Sequence, residues 1–73
     1  MKIGDWYKFH MDKEEDQYVM NKYYSPFKVL YIDKNGVCIC KGHHSNYTWK
    51  WNQYYIKNNC TKMTKGQVFE ELL

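Results

Sequence analysis

The 73-residue chain contains no arginine and no alanine. Without arginine there is no planar guanidinium fork, so bidentate clamping of a phosphate or a guanine edge is excluded. All of the positive charge is lysine, and the formal net charge is +3. The missing residues have GC-rich codons, while Lys, Asn, Tyr and Ile are plentiful. That balance indicates AT-rich coding, as in low-GC bacteria, their phages or plasmids. No apolar run approaches the ~20 residues of a membrane-spanning helix, so no membrane partner is expected. Met1-Lys2-Ile3-Gly4-Asp5 is expected to lead straight into structure, with no apolar signal segment before it. Three cysteines is an odd number. Together these imply a reduced, cytoplasmic setting rather than a disulfide framework. There is no repeat, linker or low-complexity stretch, and residues 1–73 read as a single domain.

What the chain has in excess is aromatic surface, at 19% of residues. A chain this short buries only about 60–65% of its unfolded surface. Each aromatic side chain can bury on the order of 150–250 Å². The core cannot easily enclose all of them. Some should lie outside, where aromatic residues mark interfaces.

The stretch from Phe27 to Cys40 organises the rest. Two β-rich runs flank Lys34-Asn35-Gly36, a strong hairpin signal. A two-residue loop would pair Lys34 with Val37 and put Leu30 on a face with Lys41. A three-residue loop pairs Asp33 with Val37, Ile32 with Cys38 and Leu30 with Cys40. Only the second collects Leu30, Ile32, Cys38 and Cys40 on one face, and a one-residue slip reverses every side chain. The three-residue loop is therefore expected, with Gly36 at a left-handed bulge position.

Elsewhere, Gly4-Asp5 reads as a turn and Trp6 to His10 as a first strand. Asp12 to Asp16 is an acidic knot, expected as a solvated loop. Residues 12–24 have two readings. Asp12 and Glu15 satisfy a capping box ahead of Tyr18, Val19, Lys22 and Tyr23 on one helical face. Alternatively, Gln17 to Tyr24 is a hairpin arm. Ser25-Pro26 ends either one. Gly42 to Asn46 is a loop by composition. Tyr47 to Trp51 alternates, with aromatics on one face. Tyr54 to Lys57 reads as a resumed strand and Cys60 to Met63 as a last one. Thr64 and Gln67 form a capping box for a closing helix over about residues 65–72, with Val68, Phe69, Leu72 and Leu73 as its apolar stripe. Glu70 and Glu71 oppose the macrodipole at its end, so this helix needs docking to persist.

Ile3-Gly4-Asp5-Trp6, the strand from Pro26 to Ile32, the Asn35-Gly36 turn and the Trp49/Trp51 strand together resemble the SH3-like small β-barrel. The expected fold is mostly β: a five-stranded barrel over about residues 3–62 with a short C-terminal helix. The resemblance implies a binding module more often than an enzyme, and it carries over no functional residue. An Ala-Leu-Tyr-Asp-Tyr-like opening and a Trp-Trp pair are both missing, so proline-rich peptides are not the expected ligand.

Four groups of residues bear on chemistry. Cys38, Cys40, His43 and Cys60 are thiolate and imidazole ligands of the kind zinc takes, but a Cys-x-Cys spacing is not a structural knuckle. On an apolar face each cysteine behaves as a small hydrophobe, so no metal and no cofactor is expected. His43-His44 reads as a polar loop or a contact surface. Cys60 with a histidine and Asp5 or Asp33 makes no defensible nucleophilic set, and an enzyme is not expected. Tyr47, Trp49 and Trp51, with Lys41, Lys50 and Lys57, suggest a stacking platform for single-stranded nucleic acid, although Trp49 should face inward. The remaining reading is protein recognition by a small inhibitor or adaptor encoded on a mobile element. Its expected contact residues are Tyr23, Tyr24, His43, His44, Trp51, Tyr54 and Tyr55, because tyrosine offers rigid contact area with a hydroxyl. A protein partner is thus expected, with nucleic acid as the alternative, on a monomer or an edge-paired homodimer.

Overall fold

A computed structural model describes residues 1–10 and 24–72. The acidic knot, Tyr23, Leu73 of the closing helix's stripe and the helix-or-hairpin question over residues 12–24, of which only Tyr24 is described, lie outside the described residues.

Five strands form one antiparallel sheet in the order β4-β3-β2-β1-β5. They are β1 (Trp6–Phe9), β2 (Phe27–Ile32), β3 (Val37–Gly42), β4 (Thr48–Asn52) and β5 (Cys60–Lys62). Helix α1 (Gln53–Asn59) joins β4 to β5, and α2 (Lys65–Leu72) follows. The architecture is mostly β, as expected. Among the described residues β4 and β5 are the two edges and do not pair with each other, so hydrogen bonds do not close the sheet into a barrel. No helix among the described residues is long and apolar enough to cross a membrane.

The hairpin takes the three-residue loop. Asp33 N–H donates to Val37 O at 2.9 Å, Gly36 N–H donates to Asp33 O at 3.0 Å, and Ile32 pairs with Cys38. Gly36 has φ +80°, and an added Cβ would meet Gln53 Nε2 at 2.5 Å. Glycine is therefore required there for its backbone, while the Gln53 amide, at the end of a flexible side chain, can swing aside. The Asp33 carboxylate tightens the turn, accepting from the N–H groups of Asn35 at 2.8 Å and Val37 at 2.9 Å.

Further along, the expected register needs correcting. The β2–β3 pairing shifts between Val29 and Tyr31, so Val29 rather than Leu30 sits opposite Cys40. Leu30 is the extra residue of a β-bulge and is 39% exposed, whereas Val29 is fully buried. A bulge leaves one residue unpaired and switches the parity of the strand beyond it.

The inward side chains form one core: Tyr7, Phe9, Phe27, Val29, Cys38, Cys40, Ile56 and Cys60, with Trp49 and Trp51 packed on it. Register explains how large and small side chains share this layer. Cys38 stands opposite Trp51, and Cys40 opposite Trp49. Two small thiols leave room for two indoles, whose ring centroids are 5.3 Å apart. Phe27 meets Trp51 edge-on at 5.4 Å and stacks on Tyr7 at 5.9 Å.

Tyr54 to Lys57 is helix, not strand. Asn52 is the cap: its side chain accepts from Tyr54 N–H at 2.9 Å, which satisfies a donor the first turn leaves open. Burial follows the helical period. Ile56 is buried, Gln53 and Asn59 three residues either side are half-buried, and the rest are exposed. The β-forming preference of Tyr-Tyr-Ile yields to this cap and to a single deep anchor.

Helix α2 has the expected reciprocal cap. Thr64 N–H donates to Gln67 Oε1 at 2.9 Å, and Gln67 N–H donates to Thr64 Oγ1 at 3.1 Å. Its apolar stripe is only partly used. Val68 and Leu72 are half-buried, but Phe69 is 72% exposed. An ion pair between Lys8 and Glu71 ties the helix to β1 and answers the unfavourable placement of Glu71 at the negative end of the dipole.

Candidate functional site

Among the described residues the strands carry five lysines and no carboxylate. Lys8, Lys28, Lys41, Lys50 and Lys62 are all strand residues, and none of the five strand sequences contains Asp or Glu. Alternation sends most of these lysines to the side of the sheet away from the core. In β1 the buried residues are Tyr7 and Phe9, leaving Trp6 and Lys8 outward. In β3 and β4 the outward set includes Ile39, Lys41, Thr48 and Lys50.

Register assembles these positions into rows. Trp6 pairs with Lys28, Lys28 with Lys41, and Lys41 with Thr48. The next row is Tyr31, Ile39 and Lys50. The ammonium of Lys28 lies 6.0 Å from the Trp6 ring centroid, the outer limit of a cation–π contact. The His43 ring meets Trp6 at 5.8 Å, nearly perpendicular. Its backbone N–H is tied down by Pro26 O at 2.8 Å, which holds the loop after β3 against this face. Trp6, Lys28, Leu30, Lys41 and His43 line a shallow concavity of about 280 Å³.

Among the described residues, the carboxylates at the ends of the sheet are occupied. Asp5 Oδ2 accepts from Lys2 N–H at 2.9 Å and lies 3.6 Å from Lys62 Nζ. Asp33 holds the hairpin turn, and Glu71 pairs with Lys8. Lys28, Lys41 and Lys50 thus form a positive field without a neighbouring acid among the described residues.

The residues expected from sequence to bind a partner are divided between two surfaces. His43 and His44 are exposed and adjacent, with ring centroids 4.8 Å apart, and His43 borders the lysine rows. Trp51 and Tyr24 are half-buried, and Tyr24 lies 5.0 Å from Trp49 and 5.8 Å from Trp51. Tyr55 packs on Phe9 and Trp51, and partial burial, then the nearby Cys60 thiol, raises its hydroxyl pKa. Tyr54 is 64% exposed on α1, with Lys57 Nζ 5.9 Å from its ring. Of the expected stacking stripe, Trp49 and Trp51 are on the core side, and only Tyr47 is fully at the surface.

The cysteines are core residues. All three are free and buried, while His43 lies on the opposite side of the sheet. Among the described residues no three His, Cys, Asp or Glu side chains come together. Burial, and then the neighbouring Cys38 thiol, pushes Cys40 up to about 12. Burial, and then Cys40, pushes Cys60 up to about 12. Burial, then Asp33, also raises Cys38, whose thiol contacts the Met1 sulfur at 3.3 Å. Thiols in such surroundings stay protonated at neutral pH and are poor nucleophiles.

The sequence reading missed Trp6, Lys28 and Tyr31 as surface residues acting together. Alternation within β1 and β2 placed them outward, but their alignment depends on cross-strand register, and Tyr31 faces outward only because of the bulge at Leu30.

No family model matches the chain, and neither a curated protein nor a solved structure matches it.

Proposed function

We propose that the chain is a small non-enzymatic binding module, an SH3-like barrel in architecture, that holds an anionic partner on the outer face of its sheet. One observation carries this reading. Lys28 and Lys41 are direct cross-strand partners, and among the described residues neither forms an ion pair with an acid. Like charges placed opposite each other on a sheet destabilise it, and an anion bound across both relieves that repulsion. The architectural part rests on strand order: four strands meander, and β5 returns beside β1. The non-enzymatic part rests on the nucleophile candidates, which are thiols sealed in the core.

The test is a generic polyanion. Heparin binding to the whole protein should weaken at least tenfold in Lys28→Gln/Lys41→Gln. It should change little in Lys34→Gln/Lys57→Gln, which loses the same charge from the turn and from α1. Equal weakening in both variants would contradict a face-specific site. A second reading, an inhibitor or adaptor that captures a host protein, is supported by the exposure of Tyr54 on α1. It predicts that Tyr54→Ser abolishes partner capture and leaves heparin binding unchanged.

A further inference from the structure

We infer that the anionic partner is a single-stranded nucleic acid, tracked by the lysine rows and stacked on Trp6. This inference rests on the outer-face reading above. It turns on what stands beside the charge. An acidic protein surface is satisfied by lysines alone. A nucleic-acid strand alternates phosphates with flat bases, and it is matched by lysines interleaved with aromatic rings. Here Trp6 begins the row that continues through Lys28 and Lys41, and Tyr31 begins the next row, which ends on Lys50. Tyr31 is 54% exposed, and Trp6 is half-buried with its ring lining the concavity, so each offers some ring surface to a base.

The concavity fits the same occupant. At about 280 Å³ it falls just short of the roughly 300–1,000 Å³ typical of a drug-sized ligand. Its lining combines one indole, one imidazole, one leucine and two ammonium groups. A single base against Trp6 and Leu30, with its phosphate between Lys28 and Lys41, uses the indole, the leucine and both ammonium groups. A duplex keeps its bases stacked inside, so it could use the lysines but not Trp6. Without arginine there is no bidentate reader of base edges, so the strand is bound with little sequence preference.

The experiment titrates a fluorescein-labelled oligothymidylate into the full-length protein at several salt concentrations and follows anisotropy. A poly-glutamate peptide of equal charge and a duplex of equal length are run beside it. The expected result is binding at low salt that is tightest for the single strand. Lys28→Gln/Lys41→Gln should lose at least tenfold and flatten the logarithmic salt slope by about 1.4, at ~0.7 per phosphate contact released. Trp6→Leu should lose about fivefold to a hundredfold, the range for one stacked base, while Trp6→Phe, which keeps a π face, retains most of the affinity. Circular dichroism establishes that each variant is folded. Poly-glutamate or duplex binding as tight as the single strand overturns the inference, and leaves the outer-face reading standing if the two lysines are still required. Absence of binding by all three probes overturns both. Equal affinities of Trp6→Leu and wild type, both folded, also overturn the inference.

Discussion

Lys28 on β2 and Lys41 on β3 stand directly opposite each other, two like charges in one cross-strand pair. Trp6 and Thr48 flank them in the same row, and neither offers a counter-charge. A directly opposed like-charge pair costs a sheet roughly 0.2–1 kcal/mol. Lys41→Gln should therefore raise stability by a few tenths of a kcal/mol, and Lys41→Glu by about 0.5–1 kcal/mol as repulsion becomes attraction. Urea unfolding at low salt measures both. The gains should shrink as salt screens the pair. A loss of stability in Lys41→Glu would mean that the lysine has a structural role and is not held against repulsion for a partner.

The bulge makes a second contrast, between adjacent residues of similar hydrophobicity. Val29 is fully buried opposite Cys40, and Leu30 projects outward. Val29→Ala should cost about 1–3 kcal/mol, combining lost transfer energy with an unfilled cavity. Leu30→Ser should stay within about 0.5 kcal/mol, as surface changes do. Urea midpoints of the two variants rank them directly. The opposite ranking is what a regular, unbulged hairpin would give.

Stability should also fall at alkaline pH through the thiols. Burial pushes the folded-state values of Cys40 and Cys60 up to about 12 from the ordinary thiol value of 9.0. Between those limits the folded chain holds protons that the unfolded chain has released. The unfolded state is therefore favoured as pH rises. The stabilisation is complete below about pH 9 and is lost progressively toward pH 12. Replacing both residues with Val should flatten the decline in melting temperature across that window. Native protein at pH 8 should react with a thiol reagent only as fast as it opens, and unfolded protein at once.

Much of the fold was legible in the chain because its signals are local. Asp33 to Val37 encodes its own loop length, since only one register puts Ile32 on the face of the two cysteines. Thr64 and Gln67 encode the start of α2 by reciprocal hydrogen bonds four residues wide. The departures come from choices that local preference does not decide. Tyr54-Tyr55-Ile56 has strand-forming residues, yet Asn52 caps a helix there and Ile56 alone reaches the core. Leu30 and Val29 are interchangeable to a hydrophobic pattern, and the bulge chooses between them. Phe69 belongs to an apolar stripe on a helical wheel and is left exposed, because α2 meets the sheet on its Val68 and Leu72 side. The candidate site was the least legible part. Its residues lie on four strands, and Trp6, Lys28 and Lys41 become neighbours only through register. The conspicuous Trp49/Trp51 stripe, by contrast, packs against the core.

The outer face can be tested directly by following the backbone amide resonances of the full-length protein as unlabelled oligothymidylate is added at low salt. The account predicts shifts concentrated at Trp6, Lys28, Tyr31, Lys41 and His43, with Tyr54, Tyr55 and Lys57 unmoved and the pattern erased by high salt. Shifts centred on α1, with the Lys28–Lys41 row unaffected, would contradict it.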